Sequence, residues 1–402
     1  MTLLIVLQIV ALLMLNNASH ISAFSFYDQK TNTLSSSTMR PFQSNTPNNH
    51  GIIKKFTLIA DDKSIVKISP DNTLHPGGIL YKAMTYNSTI PGPAIVVNQG
   101  DIFQITLYNK GDLVHSLDLH GIEGPSHALV SSVKPGENST LKARAEYPGV
   151  FMYHCDGDNL NGIWDHIASG MYGGIIVHPK NERPAKEFYM VLGEIYNTAD
   201  NGLFTAPSNS VDPNNNLNSN VSASTLTKKV IGSFDINKFL ADKPDLILTN
   251  GMAYKYIPFF GSVSKIILNK NAEVFKVKPG ELTRWYIVNA GPRGYLSFNF
   301  ASAMIKTIHY NTNANTSNYV NDKSTTDPIV TNTHPLSSIS KVYEVLIPPG
   351  SAEEIEALFP EQGSYVGNDH DIGRFLRGAG FVVLATNSST PHDQPKGTSI
   401  PK

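Results

Sequence analysis

A single cysteine, Cys155, occurs in 402 residues, so no internal disulfide can staple this fold in any redox compartment. Excess charge is equally scarce. Thirty-two Lys and Arg stand against 33 Asp and Glu, a net charge of −1 with no basic cluster. That balance argues against nucleic acid and anionic membrane surfaces and leaves small soluble proteins and small molecules as partners. The apolar run Leu3 to Leu15, broken at Gln8, is short for a bilayer span. Followed by Asn16, Asn17, Ser19 and Ser22, it suits the core of a secretory signal, although no Lys or Arg precedes it. Residues 1–23 are therefore expected to be a signal peptide or N-terminal anchor, and the protein to be exported to an extracytoplasmic space. Sequons at Asn87, Asn138, Asn220, Asn315 and Asn387 agree with an exported surface.

Beyond a polar lead-in, residues 24–50, short β-rich runs recur between turn residues. Phe56 to Ala60, Ser64 to Ile68, Ala94 to Asn98, Ile102 to Tyr108, Ser139 to Ala145 and Gly173 to Val177 are separated by Pro91-Gly92-Pro93, Gln99-Gly100-Asp101, Pro135-Gly136 and similar breaks. This is the rhythm of an antiparallel sandwich and not of βαβ units. A second series begins at Glu187 to Leu192 and continues through Thr283 to Asn289, Tyr295 to Phe300, Lys341 to Leu346 and Gly380 to Leu384. Ser233 to Ala241 suits a short helix, and the Asn-rich stretches 197–228 and 311–334 suit surface loops. Val277-Lys278-Pro279-Gly280 echoes Val133-Lys134-Pro135-Gly136, which favours an all-β duplicated sandwich with domains at 51–182 and 183–386 and a polar tail at 387–402.

Around the lone cysteine the sequence reads GVFMYHCDGDNLNGIWDHIASGM, residues 149–171. Cys155, His166 and Met171 supply three members of the His2Cys-plus-Met set that binds a blue, electron-transferring copper. The fourth is sought upstream, in His115-Ser116-Leu117-Asp118-Leu119-His120. On a strand, His115 and His120 differ by an odd step and face opposite sides, as do His154 and Cys155. This assigns His115, Cys155, His166 and Met171 to a type 1 copper, and His120 and His154 to a second metal. Two histidines leave that metal short of ligands. His370, in Gly367-Asn368-Asp369-His370-Asp371, is chosen as the third, since His75, His127 and His178 lack a suitable partner pattern. Lone histidines are commonly satisfied core residues, but six candidate ligands in this order, His115, His120, His154, Cys155, His166 and Met171, outweigh that reading.

These motifs, with Pro91-Gly92-Pro93-Ala94 leading into Asn98-Gln99-Gly100-Asp101, resemble the copper-containing nitrite reductases, and in particular their branch in ammonia-oxidising archaea. The resemblance spans about residues 50 to 386 and is tighter in the first half. It implies two tandem cupredoxin-like Greek-key sandwiches in a homotrimer. It also implies one type 1 and one type 2 copper per chain, with His370 reaching the His120/His154 pair of another chain. By the same resemblance Asp118 is the acid beside bound nitrite, and a small exported cupredoxin or cytochrome donates electrons. Two departures stand out. The Cys155–His166 spacing is longer than usual in the family. The second-domain histidine that works with the aspartate in proton delivery aligns with Phe300 to Met304, and His309 is the nearest histidine. The alternatives are an exported two-domain multicopper oxidase or a blue-copper carrier. The first calls for paired His-x-His motifs, of which the sequence has none.

Overall fold

Alternation builds the strands. In Ile102–Asn109, Phe103, Ile105 and Leu107 are buried while Tyr108 is exposed, the period of two that gives a sheet one apolar face. The computed structural model describes residues 52–387 except 72–74, 76, 123–129, 159–160, 181, 200–230, 263–264, 270 and 311–335. The expected signal, the lead-in, most of the first Asn-rich stretch, all of the second and the tail after 387 lie outside the described residues. Among the described residues, no helix is long and apolar enough to cross a membrane.

The protein is all-β, as the sequence predicts, with four large sheets among the described residues. One sheet orders Ile79–Tyr86, Ile53–Ser69, Ile102–Asn109 and Asn138–Arg144 of the first half, with Ile231–Gly232 of the second half added at the Ile79–Tyr86 edge. Its companion orders Ile95–Asn98, Tyr172–His178, Gly149–His154, His115–Leu119 and Val130–Val133. In the second half the six-stranded sheet is Leu246–Thr249, Lys186–Ile195, Leu282–Asn289, Ala352–Leu358, Ile305–Tyr310 and Leu336–Val342. Phe275–Val277, Gly380–Ala385, Gly363–Asp369, Leu296–Phe300 and Glu344–Ile347 face it. The repeated Pro-Gly turns have left-handed glycines, Gly136 at φ 80° and Gly280 at φ 73°. Each is closed by the same three-residue backbone bond, from Glu137 N to Lys134 O and from Glu281 N to Lys278 O, so the echo in sequence is a repeated turn in structure.

Each sandwich has its own core: Phe103, Leu117 and Tyr153 belong to the first, Trp285, Phe298 and Phe381 to the second. A third cluster joins the halves, with Tyr81, Met152 and Tyr172 against Tyr189, Tyr286 and Val288. Tyr172–His178 is buried at six of its seven residues because both its faces are covered, one within its sandwich and one by the second half. Each large side chain so buried contributes about 2 kcal/mol.

Two strand boundaries differ from expectation. Phe56 to Ala60 and Ser64 to Ile68 form one strand, Ile53–Ser69, parallel to Ile102–Asn109 at its start and antiparallel to Ile79–Tyr86 at its end. The register shifts between Asp61 and Ser64, a bulge that continues the chain while turning Asp62 aside. The expected run Lys341 to Leu346 is divided at Tyr343 between two sheets. The helix predicted at Ser233 to Ala241 is present as Ile236–Leu240, capped by the Asp235 carboxylate. Asn87 of the first sequon is a left-handed turn residue. Its side chain accepts from Ile59 N at 2.7 Å and donates to Thr57 O at 3.3 Å, so it serves the fold.

Candidate paired metal centres

The strand Gly149–His154 delivers His154 and Cys155 to opposite faces at its end. On one face, Cys155 Sγ lies 3.2 Å from His166 Nδ1 and 3.7 Å from His115 Nδ1. His115 opens the strand His115–Leu119, and His166 sits on the short helix Ile163–Ala168. The sulfur also accepts from the amides of Ser116 and Gly157, both at 3.3 Å. Met171 is fully buried in the same apolar cluster as Cys155. Its amide donates to His166 O at 3.0 Å, and its carbonyl accepts from Cys155 N at 3.2 Å. One sulfur facing two imidazoles, with a methionine beside them, fits a soft one-electron metal such as copper. Burial pushes the Cys155 thiol up to about 11, so a metal binding here displaces a proton.

Behind His115, its Nε2 lies 3.3 Å from Asp62 Oδ2. That oxygen also accepts from the amides of Asp112 (2.8 Å) and Leu113 (2.7 Å). Burial works to raise the Asp62 pKa, but the Leu113 and Asp112 amides and His115 outweigh it and hold the carboxyl below its ordinary value. Gly111 is required here, because a Cβ would stand 2.4 Å from the Asp62 carboxylate and 2.9 Å from His115 Nε2.

On the other face, His120 Nε2 and His154 Nε2 are 3.0 Å apart, their rings nearly perpendicular at 87°. Asp118, opposite His154 in the ladder, brings Oδ2 to 3.7 Å from His154 Nε2. His154 Nδ1 is 3.1 Å from Asp156 Oδ1, and His120 is hydrogen-bonded to the Gly350 backbone. When both imidazoles are neutral with Nε2 unprotonated, the two Nε2 lone pairs face each other. A shared cation resolves that clash, and two nitrogens bound at about 2 Å to one metal lie about 3 Å apart. Burial, then the neighbouring His154, lowers the His120 pKa, the direction that favours metal binding over protonation.

The second-half candidates lie elsewhere. Within one chain His370 is not brought to the His120/His154 pair; it ends the strand Gly363–Asp369 with its side chain 54% exposed. Glu344 Oε2 accepts from its Nδ1 at 2.7 Å, and its amide donates to Ser297 O at 2.7 Å. Next to it, buried Asp369 accepts from Arg374 Nε at 2.6 Å, and Arg374 also pairs with buried Glu194. His309 lies on the strand Ile305–Tyr310 opposite Ser338, and its side chain lies outside the described residues. Trp164, two residues before His166, is half-exposed and packs on Phe234 and Phe239 of the second half.

His178, set aside for want of a suitable partner pattern, does have carboxylate neighbours, its Nδ1 lying 2.8 Å from Glu182 and 3.8 Å from Glu187. Arg284 stands 3.1 Å and 3.3 Å from the same two carboxylates, and this cluster is a compensated ion-pair network. Sequence reasoning also missed Asp62, Asp156 and Glu344 behind three histidines. Only Asp156, two residues beyond His154 at the end of its strand, carried a signal that could have found it.

Burial sets an acid limit on the protein without copper. His75 and His115 are both held down to about 4 by burial. Between pH 6.5 and about 4 the unfolded chain protonates both while the folded one does not. The contribution of these two histidines is therefore full above pH 6.5 and falls with pH by about 1.4 kcal/mol per unit for each, while Glu353, pushed up to about 7 by burial, works the other way between pH 7 and its ordinary value and offsets part of the fall. Urea midpoints of chelator-treated protein are expected to drop as pH falls across this range, and to go on dropping below pH 4 as Asp62, held below its ordinary value, is protonated.

A multicopper oxidase family model matches residues 67–182. The copper-containing nitrite reductase of Neisseria gonorrhoeae is 27% identical over 308 residues, 75% of this chain and 62% of that protein. The chain thus spans less than two thirds of that relative's length. The corresponding protein of Alcaligenes faecalis is 35% identical over 131 residues, 32% of each chain. The structure of copper nitrite reductase from Nitrosomonas europaea has a TM-score of 0.61 at 25% identity, covering 85% of this chain and 96% of that one. A blue copper oxidase from the same organism shares the fold, with a TM-score of 0.54 at 19% identity over 83% and 86%. The chain is therefore similar to copper-containing nitrite reductases in sequence over three quarters of its length and in fold across both cupredoxin-like halves, and to multicopper oxidases in fold.

Proposed function

We propose that this protein is a copper-dependent nitrite reductase forming nitric oxide, nearest within that family to the branch of ammonia-oxidising archaea on the motifs around Cys155 and His120. The observation that carries the reading is the pair of back-to-back clusters, Cys155 with His115 and His166, and His154 with His120 and Asp118, joined by one peptide bond. Bound to these clusters, copper supplies one-electron redox chemistry at the first and a Lewis acid for nitrite at the second. His115, Cys155, His166 and Met171 are the type 1 ligands in this reading, and His120, His154 and another chain's His370 the type 2 ligands.

The reaction, NO2− + e− + 2H+ → NO + H2O, consumes two protons, and the chain must deliver them. Asp118 stands on the open side of His154, its carboxylate 19% exposed, able to receive protons from solvent and pass them to a nitrite oxygen. His154 and Cys155 provide the shortest covalent route between the clusters. His309 is retained as the candidate second proton donor.

The domains in this proposal are 51–182 and 183–386, the assembly a homotrimer, and the location extracytoplasmic with a small exported donor. Exposed Tyr295, Leu346 and Ile372 in the segments flanking His370 support an interface there. The fold shared with multicopper oxidases does not extend to their ligands, because no His-x-His pair occurs and Asp156 follows Cys155. Copper-loaded protein is expected to show a blue and a non-blue copper signal and to make nitric oxide from nitrite with a reduced donor. Both signals without nitric oxide would refute the reading, and a blue signal alone would make the protein an electron carrier.

A further inference from the structure

We infer that Asp156 is a positioning residue for the second cluster: it holds His154 from behind so that Nε2 faces the metal, and it adds a fixed negative charge there. This rests on the two-copper reading above. Three residues in extended sequence alternate faces, so His154 points to the second cluster, Cys155 to the first, and Asp156 back to the second. The Asp156 carboxylate is only 10% exposed, and its Oδ1 lies 3.1 Å from His154 Nδ1. Both atoms are buried and neither has a hydrogen-bond partner. Each is therefore the other's nearest means of satisfaction in a site where an unpaired polar atom costs about 1–3 kcal/mol.

Its backbone is equally fixed. The Asp156 amide donates to Ser116 Oγ at 2.8 Å, and the amide of Ser116 donates to Cys155 Sγ at 3.3 Å. The carboxylate is thus anchored by a residue that also contacts the first cluster, and a change at Asp156 could in principle act on either. Geometry favours the second. The Asp156 side chain reaches His154, whereas the sulfur is met by the Ser116 and Gly157 amides and not by the carboxylate. A carboxylate on the remote nitrogen of a ligating histidine fixes the tautomer, raises ligand basicity and favours the more highly charged metal state. Asp118 cannot substitute, because it approaches Nε2, the metal-facing nitrogen, at 3.7 Å.

The test compares wild type, Asp156→Asn and Asp156→Ala in the full copper-loaded chain. Affinity for the non-blue copper is read by chelator competition, its hyperfine splitting by electron paramagnetic resonance, and the first cluster by the blue absorption band. Asp156→Ala is expected to weaken the non-blue copper about 10- to 100-fold with the blue band unchanged. Asp156→Asn, which keeps an acceptor but loses the charge, is expected to fall between. Should the alanine variant fail to fold, the isosteric asparagine variant still decides, through a weaker site and an altered splitting. The inference is overturned if both variants match wild type at the non-blue copper, or if the blue band shifts while the non-blue copper does not. Wild-type protein holding only one copper would overturn the two-copper reading itself and this inference with it.

Discussion

Cys155→Ser is expected to bleach the protein, reduce its copper from two to about one per chain, and lower donor-driven nitrite turnover by about 10³-fold or more, the scale set by loss of a central catalytic group. The sulfur is where the first cluster converges. Two imidazole nitrogens at 3.2 and 3.7 Å and two backbone amides at 3.3 Å are directed at it. A serine hydroxyl is shorter, harder and far less acidic than a thiol, so it neither reaches the same point nor forms the thiolate that copper selects. The fold should survive, because the site is a small polar inclusion in a core carried by Phe103, Leu117 and Tyr153. Visible absorption, copper analysis and circular dichroism together check this. Retention of the blue band in the serine variant would remove Cys155 from the copper site.

His370→Ala is expected to leave the blue band intact, remove the non-blue copper and lower turnover by a similar factor. The same phenotype is expected of His120→Ala, although these side chains do not meet within one chain. Glu344 occupies Nδ1 of His370 at 2.7 Å, which leaves Nε2 directed away from its own chain's carboxylate. The backbone beneath is held by Ser297 and by the buried Asp369–Arg374–Glu194 network, so the exposed ring stands on a rigid base. If a ring of three chains shares each site head to tail, co-refolding the two variants in equal amounts restores about one quarter of the non-blue sites. That quarter comes from interfaces where an intact His120 faces an intact His370. No recovery on mixing would place all three histidines in a single chain.

The sequence made the junction legible because it depends only on local alternation. His154 and Cys155 must diverge on any strand, and so must His115 and His120. The supporting carboxylates depend on long-range pairing. Asp62 reaches His115 across 53 residues by way of a bulge, and no spacing in the chain announces it. Glu344 reaches His370 only because Glu344–Ile347 leaves the line of the preceding strand and joins another sheet. The long Cys155–His166 interval also hid its form. Gly157–Asp158 pairs with Asn161–Gly162, and a helix of six residues follows, too short for helical periodicity to register.

The adjacency of His154 and Cys155 gives the proposed electron path a property that packing alone cannot. Centres held by separate elements move apart as those elements breathe, and tunnelling falls steeply with every added ångström. Here the span is fixed by bond lengths, as between two terminals soldered to one conductor. The loop that follows can vary in length, and donors can change, without altering the gap the electron crosses.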